Sequence, residues 1–233
     1  YDGTVKVWDL APAHEVWARS AHGGMVYDVA YSPDGNLLAT AGRDGNATVW
    51  EAESGQVLQV LAGHTDVVNG VAFSPDSRLL ATASADGSGI LWEAASGKAL
   101  RTLTGHTEDR PGTVPLFRGV VAATFSPQCL NSAGAPAEQC PLATVGMDGQ
   151  LIVWDALSGN QLLVYRVAIG GLKSVAFGPD CKVLAVGTTG DPTDSVGAAI
   201  VLDAASGEVF STMPGHAGWV WDLAFSPDGK RLA

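Results

Sequence analysis

The sequence is poor in charged residues, especially basic ones, and it lacks any long apolar run. Only 16% of its 233 residues are charged, and 13 Lys and Arg face 24 Asp and Glu, for a formal net charge of −11. A nucleic acid or an anionic lipid surface would on average repel such a protein. No stretch approaches the roughly 20 apolar residues of a membrane helix. We therefore expect neither nucleic-acid binding nor membrane insertion.

Turn-forming and apolar residues are plentiful instead. The chain contains 29 Gly and 12 Pro, and 46% of its residues are hydrophobic. This composition is typical of many short strands joined by tight turns, and it favours an all-β fold. Since all-β barrels and propellers often exceed 200 residues without dividing, we expect residues 1–233 to form a single domain.

A repeat of about 42 residues runs through the chain. Trp50 follows Trp8 by 42 positions, and Trp92 follows Trp50 by the same interval. The histidines His22, His64 and His106 have this spacing too, and Ser-Pro-Asp recurs at Ser32, Ser74 and Ser226. A period of this length predicts the blades of a β-propeller.

Each repeat contains four β-rich stretches separated by turns. In the repeat that contains Trp92 they cover residues 67–73, 79–84, 89–92 and 99–103. The turns carry Ser74-Pro75-Asp76 and Asp86-Gly87, and such residues are typical of hairpins because proline presets φ and glycine accepts a positive φ. We therefore expect four antiparallel strands per repeat, forming one blade.

The residues Gly63-His64, Asp86-Gly87 and Trp92, with the pairs Trp8-Asp9 and Trp154-Asp155, resemble the WD-repeat family. That resemblance implies a buried hydrogen-bonded tetrad of His, Thr, Asp and Trp in each regular repeat. A buried carboxylate and a buried indole N–H both need partners, so the histidines are expected to be structural. The matching sets are His22, Thr40, Asp44, Trp50; His64, Thr82, Asp86, Trp92; and His106, Thr144, Asp148, Trp154.

The pattern contains four complete repeats and two partial repeats at its ends, which together make five repeat-equivalents, and the last partial repeat is truncated after Ala233. Their third strands end near Trp8, Trp50, Trp92, Trp154 and Leu202. The first and last partial repeats together would complete a closed five-blade ring, but an open arc of a larger propeller fits equally. We expect the chain to be a fragment of a larger, bacterial-type protein.

One face of the predicted propeller is the candidate partner-binding face. Insertions at 107–118 and 188–197 both project from it, and the repeat is least regular there, at the start of the first strand. Aromatic and arginine side chains make good binding anchors, although packing within the fold is an equal alternative for each. The candidates are Tyr27, Arg43, Asn69, Lys173, Trp219 and Trp221.

The three cysteines leave the cellular compartment open. Cys129 and Cys140 bracket a second insertion and would form a disulfide in an oxidising compartment, whereas free thiols would indicate the cytoplasm. Cys181 lies in the matching turn of the next repeat. A structural zinc site needs about four Cys or His ligands, and four of the five histidines fall at the repeat position. We expect no metal.

These observations predict a non-catalytic protein-interaction scaffold within a larger regulatory or signalling protein. Its partners would be other proteins or peptides and the remaining domains of its parent chain, and no cofactor is indicated. The alternative is a propeller-type hydrolase or lyase, with a site in the channel or a catalytic domain outside this fragment. A spacer that only presents a neighbouring domain is a third hypothesis.

Overall fold

The protein is all-β, as the composition predicts. A computed structural model describes residues 2–11, 13–107, 118–127, 139–167, 170–190 and 196–233, which contain 18 strands. In this part of the chain no helix is long and apolar enough to cross a membrane.

Sixteen strands form four antiparallel sheets of four, named I to IV in chain order. Sheet I contains β3 (Val26–Tyr31), β4 (Leu37–Gly42), β5 (Asn46–Glu51) and β6 (Val57–Ala62). Sheet II contains β7 (Val68–Phe73), β8 (Leu79–Ser84), β9 (Ser88–Glu93) and β10 (Ala99–Thr104). Sheet III contains β11 (Val120–Phe125), β12 (Pro141–Gly146), β13 (Gln150–Asp155) and β14 (Gln161–Arg166). Sheet IV contains β15 (Leu172–Phe177), β16 (Val183–Thr188), β17 (Gly197–Asp203) and β18 (Val209–His216).

A hydrogen-bonded turn joins the first two strands of sheet I. The Ser32 hydroxyl donates to the Asp34 carboxylate at 2.6 Å, and the Leu37 N–H donates to the Ser32 Oγ at 2.9 Å. Gly35 adopts a φ of 77° between them, a conformation that glycine accepts at little cost. The Ser-Pro-Asp turns at Ser74 and Ser226 repeat the serine–aspartate bond at 2.6 Å.

Neighbouring sheets pack face to face through apolar clusters. Between sheets I and II, Ala39 and Val49 contact Val71 and Phe73 in one buried cluster. Burying an aliphatic or aromatic side chain contributes about 2 kcal/mol relative to leaving it exposed. These interfaces are therefore a main source of stability for the arc of sheets.

The fifth blade position is incomplete. The hairpin β1 (Thr4–Leu10) and β2 (Ala13–Ser20) packs on sheet I, and residues 217–233 pack on sheet IV with one isolated bridge, Phe225 to Leu232. Among the described residues no strand pairs with the edge of β1 that faces away from β2. The sequence allows either a closed five-blade ring or an open arc, and in the structure the ring is not closed.

Side-chain exposure marks this gap, which we call the seam. Val29 and Tyr31 of sheet I face the seam and are 52% and 53% exposed, whereas Val71 and Phe73 at the same positions of sheet II are buried. Trp8 of β1 is 56% exposed. The seam is therefore the one blade junction at which the described chain leaves such apolar positions open.

Two β-bulges recur from sheet to sheet. In the first strand of each sheet the register skips one residue, and the residues skipped are Tyr27, Asn69, Val121 and Lys173. A second bulge lies in the last strand of each sheet and in β2, at Leu58, Leu100, Leu162, Phe210 and Val16. A bulge redirects the extra side chain, so the first set is turned out of the regular pleat.

Candidate binding site in the central channel

The tetrad of sheet II forms a continuous hydrogen-bonded chain. The Trp92 indole N–H donates to Thr82 Oγ1 at 3.0 Å, Thr82 Oγ1 lies 2.7 Å from His64 Nε2, and His64 Nδ1 lies 2.9 Å from the Asp86 carboxylate. Every polar group is satisfied if a neutral imidazole donates from Nδ1 and accepts at Nε2. The sets His22, Thr40, Asp44, Trp50 and His106, Thr144, Asp148, Trp154 make the same contacts at 2.8–3.2 Å.

The tetrad aspartates are held ionised. Burial alone would raise the pKa of Asp86, but hydrogen bonds from His64, Ser88 and the Thr65 N–H outweigh it and hold the pKa below its ordinary value. The pKa values of Asp44 and Asp148 are lowered in the same way against the effect of burial. Each ionised carboxylate accepts from Nδ1 of its histidine, and the threonine contacts Nε2. Both ring nitrogens of each tetrad histidine thus have hydrogen-bond partners.

Sheet IV has no such tetrad. The register places Val186 where Thr82 lies in sheet II, and Leu202 where Trp92 lies, and both are fully buried. At the neighbouring turn the Gly171 N–H donates to Thr189 Oγ1 at 2.8 Å. Apolar packing, together with hydrogen bonds of Thr188 and Thr189 to the backbone, thus takes the place of the network in this sheet.

The first strands of the four sheets surround a central channel. They contact one another in sequence, and together with residues 221–222 they line an open cavity of about 800 Å³. Cavities of this size are typical of ligand-binding sites. The polar and aromatic side chains that line it are Tyr27, Asp28, Asn69, Thr124, Lys173, Ser174, Trp221 and Asp222.

Asn69 is the most constrained polar side chain of the channel. Its amide Nδ2 donates to the carbonyl oxygens of Arg118 at 3.1 Å and Val120 at 2.9 Å. Its Oδ1 is buried and has no hydrogen-bond partner in the part of the chain that the structure describes. Exchanging the two amide atoms would set Oδ1 against two carbonyl oxygens, so the orientation is determined. Asn69 therefore holds a buried acceptor that none of the described residues uses.

Two carboxylates and one ammonium share the cavity. The Asp28 carboxylate accepts the Val71 N–H at 2.9 Å and the Val29 N–H at 2.8 Å. Burial raises the pKa of Asp28, although these N–H groups oppose the shift. Burial likewise lowers the pKa of Lys173, although the charges of Asp28 and Asp222 oppose it. Burial thus has the largest effect on the pKa of both groups, and the charge of each group acts on the pKa of the other.

The aromatic side chains lie at the edge of this charged group. The Lys173 ammonium lies 5.4 Å from the centroid of the Trp221 ring, which is within the range of a cation–π contact. Trp219 lies 5.3 Å from Trp221, centroid to centroid. Trp221 is 57% exposed, so much of its surface remains accessible to solvent.

The structure brings together four of the six predicted partner-binding residues. Tyr27, Asn69, Lys173 and Trp221 all line the channel, and the first three are bulge residues. Trp219 reaches the group through Trp221. Arg43 is exposed in the β4–β5 turn, where its N–H donates to the Met25 carbonyl at 2.9 Å, and it does not line the cavity.

Sequence reasoning missed Asp28 and Asp222. They occupy the same repeat position, directly after Tyr27 and Trp221, where the middle repeats have Gly70, Ala122 and Ser174. A charged residue inside an otherwise apolar first strand was the signal that would have found them.

The remaining predicted features lie partly outside the described residues. Cys129 is among those not described, so its bond to Cys140 stays a prediction; Cys181 is a free thiol of intermediate exposure. Most of the two insertions, 108–117 and 191–195, also lie outside. Within the described ranges no group of three or more His, Cys, Asp or Glu side chains could hold a metal ion.

Comparison with known proteins connects this fold to a repeat family. The family described as "WD domain, G-beta repeat" matches residues 14–51, 55–93 and 207–233. The chain is similar to "WD repeat and SOCS box-containing protein 1" of Homo sapiens, with 31% identity over 96 residues, which is 41% of this chain and 22% of the relative. The Xenopus tropicalis and Mus musculus proteins of that name match over the same shares at 32% and 34% identity. The match thus spans about a fifth of the length of these curated relatives.

Proposed function

Since this chain is a WD-repeat β-propeller, we propose that it is a non-catalytic scaffold that binds other proteins or peptides within a larger regulatory or signalling protein. The observation that carries the proposal is the central channel, where three bulge residues and Trp221 converge on one cavity. A partially exposed tryptophan beside polar groups of fixed orientation is the composition expected of a binding anchor.

The use of the histidines supports binding over catalysis. His22, His64 and His106 have both ring nitrogens engaged in the tetrads, so they are poor candidates for metal ligands or general bases. The names of the relatives also place WD repeats and a SOCS box in one protein, which supports a role beside other domains.

Affinity capture with mass spectrometry tests this proposal on the intact protein that contains the chain. Trp221→Ala should lose the captured partner, because it removes an exposed aromatic side chain at the channel. Phe210→Ala is the matched control, since Phe210 is 56% exposed and lies on the outer strand β18. Circular dichroism verifies that both variants fold. Retention of the partner by both variants would move the binding face elsewhere, and capture of no partner by the wild type would contradict the scaffold proposal.

One observation favours the rival function, a hydrolase or lyase. Asp28 and Lys173 have shifted pKa values and share a cavity, an arrangement that also occurs in active sites. Turnover of nitrophenyl esters or glycosides that Lys173→Met abolishes, while the exposed-site variant Glu53→Gln retains it, would support the enzyme. Absence of turnover in all three proteins leaves the scaffold as the better account.

A further inference from the structure

We propose that one side chain on each outer strand holds the next sheet at a fixed angle, and that these rim contacts set the curvature of the open arc. A rim contact joins the side chain of Trp17, Gln59, Arg101 or Leu163 to the turn between the third and fourth strands of the sheet that follows. The proposal describes a conformational device within the fold, so it does not depend on what the channel binds.

The four side chains occupy one position of the repeat. Gln59 follows the bulge residue of β6 and pairs with Val49, which directly precedes Trp50. The other three follow the bulge residues of β2, β10 and β14 and pair with the residues before Trp8, Trp92 and Trp154. The position therefore recurs with the blades, although its residue type changes from one blade to the next.

Each of these side chains lies against a glycine of the next sheet. The glycines are Gly55, Gly97, Gly159 and Gly207. All four have a φ between 67° and 81°. A Cβ added to Gly55 would lie 2.5 Å from the Trp17 ring, and one added to Gly159 would lie 3.1 Å from the Arg101 Cδ. Glycine is thus required here for two reasons, the backbone conformation and the close approach of the neighbouring strand.

Hydrogen bonds give several of the rim contacts a direction. The Trp17 indole N–H donates to the Ala52 carbonyl at 2.9 Å, and the Arg101 Nε–H donates to the Leu157 carbonyl at 2.9 Å. The Gln59 amide reaches a carbonyl of its turn at 3.5 Å, which is the weakest of the three bonds. A hydrogen bond depends on angle as well as distance, so it resists rotation between sheets, whereas apolar attraction has no direction.

The place of the rim contacts also favours control of the angle between sheets. In sheets I to III they lie on the fourth strand, at the edge farthest from the channel. A contact far from the axis opposes a given rotation more strongly than a contact close to it. In a closed ring the angles are also restrained because they must add up to a full turn, but this ring is not closed. Each junction of the arc is therefore restrained by the contacts between neighbours alone.

Distances across single junctions test the proposal. Nitroxide labels are attached in pairs through p-acetylphenylalanine at Val60, Thr102 and Val164, which are exposed at one position of β6, β10 and β14. Double electron–electron resonance then measures the I–II distance, from Val60 to Thr102, and the II–III distance, from Thr102 to Val164. In Arg101→Ala we expect a longer and broader II–III distance and an unchanged I–II distance. The matched control is Arg78→Ala, which removes an exposed arginine from the β7–β8 turn of the same sheet and should change neither.

Two further variants separate the angle between sheets from a general loosening of the fold. Gln59→Ala should reverse the pattern, with a longer I–II distance and an unchanged II–III distance. Arg101→Leu should keep the II–III distance close to that of the wild type, because Leu163 covers the glycine of the next turn by packing alone. Circular dichroism verifies that each variant folds, which we expect because Arg101 is exposed and Gln59 is not buried.

Three results would overturn the proposal. They are an unchanged II–III distance in Arg101→Ala, an equal change of both distances in that variant, and a shift in Arg101→Leu as large as in Arg101→Ala. Gln59→Ala provides the same test at a second junction if Arg101→Ala does not fold. Neither residue lines the channel, so the result leaves the capture experiment with Trp221→Ala as a separate test of the scaffold.

Discussion

Sheet II and sheet IV share strand order and the register of their first three strands, but they differ in the chemistry of their buried positions. In sheet II, Leu80 pairs with Trp92, whose indole continues into the hydrogen-bonded tetrad. In sheet IV, Leu184 pairs with Leu202 at the same place, and Val186 replaces the tetrad threonine. Both arrangements are fully buried and give the same four-stranded blade.

The difference shows that the tetrad is not what specifies the blade. Strand register, the turns and the apolar faces are common to both sheets, so they determine the geometry. A buried polar network is favourable only when every member is present, because each missing partner leaves another group unsatisfied. Sheet IV has apolar residues in place of the polar members, so no group is left unsatisfied. Such a replacement is often neutral for stability.

The largest effect is expected from deleting the buried anchor of each sheet. Trp92→Ala should lower the free energy of unfolding by about 4 kcal/mol, because it leaves a large cavity and removes the donor to Thr82. Leu202→Ala should cost about 3 kcal/mol, from the cavity alone. Urea unfolding measures both losses. A larger loss of stability from Leu202→Ala than from Trp92→Ala would mean that the network adds nothing to the packing.

A smaller but more diagnostic effect is expected from Thr82→Val. Valine removes the acceptor of the Trp92 indole and the partner of His64, which should cost about 3 kcal/mol. Converting the whole tetrad to the chemistry of sheet IV, with His64→Ala, Thr82→Val, Asp86→Gly and Trp92→Leu together, should cost less than the sum of the four single changes. Additive losses would show that the network is not cooperative.

The pH dependence of stability should distinguish the tetrads from the channel. The folded pKa of Asp86 is lowered, so its contribution is present above the unfolded value of about 3.9 and is lost as the pH falls toward the folded value. The folded pKa of Asp28 is raised, so its protonation at falling pH acts in the opposite direction. Urea unfolding between about pH 5 and pH 3 should show a net loss of stability that Asp86→Asn makes shallower. The loss should become steeper in Asp28→Asn, and an unchanged slope in both variants would argue against these assignments.

The smallest effect concerns the first turn of each sheet. Cys181 in sheet IV has a φ of 62°, at the position where sheet I has Gly35 with a φ of 77°. Cys181→Gly should therefore stabilise the protein by about 0.5 kcal/mol, because a side chain is strained at positive φ. Gly35→Ala should cost about 1 kcal/mol because the alanine would be held at positive φ. An added Cβ would meet no atom within 4 Å, so no steric clash adds to this cost. Thermal unfolding compares the two, and a loss in Cys181→Gly would contradict the argument.

The sequence predicted the blades but could not decide the closure of the ring. Spacing and turn chemistry are local, and the third strands end where predicted, near Trp50, Trp92, Trp154 and Leu202. Closure depends instead on pairing between residues near the two ends of the chain, which no repeat pattern reports. The contrast between Trp8, at 56% exposed, and the buried Trp50 became visible only in the structure.

The candidate site was predictable in position and not in chemistry. Irregularity at the start of the first strand indicated Tyr27, Asn69 and Lys173, and the recurring bulge explains why the position is variable: its side chain leaves the sheet core for the channel. The unused acceptor of Asn69 depends on the direction of one amide, which composition and spacing do not determine. Binding by these residues stays a prediction.

The bulge in the outer strand of each sheet has a consequence for solubility. Its extra residues, Val16, Leu58, Leu100, Leu162 and Phe210, are 41–56% exposed along edges that could otherwise pair with strands of another molecule. A bulge twists the edge and interrupts the row of backbone donors and acceptors, so a foreign strand could align over only a few residues. The repeat thus carries, in every blade, its own protection against edge-to-edge aggregation.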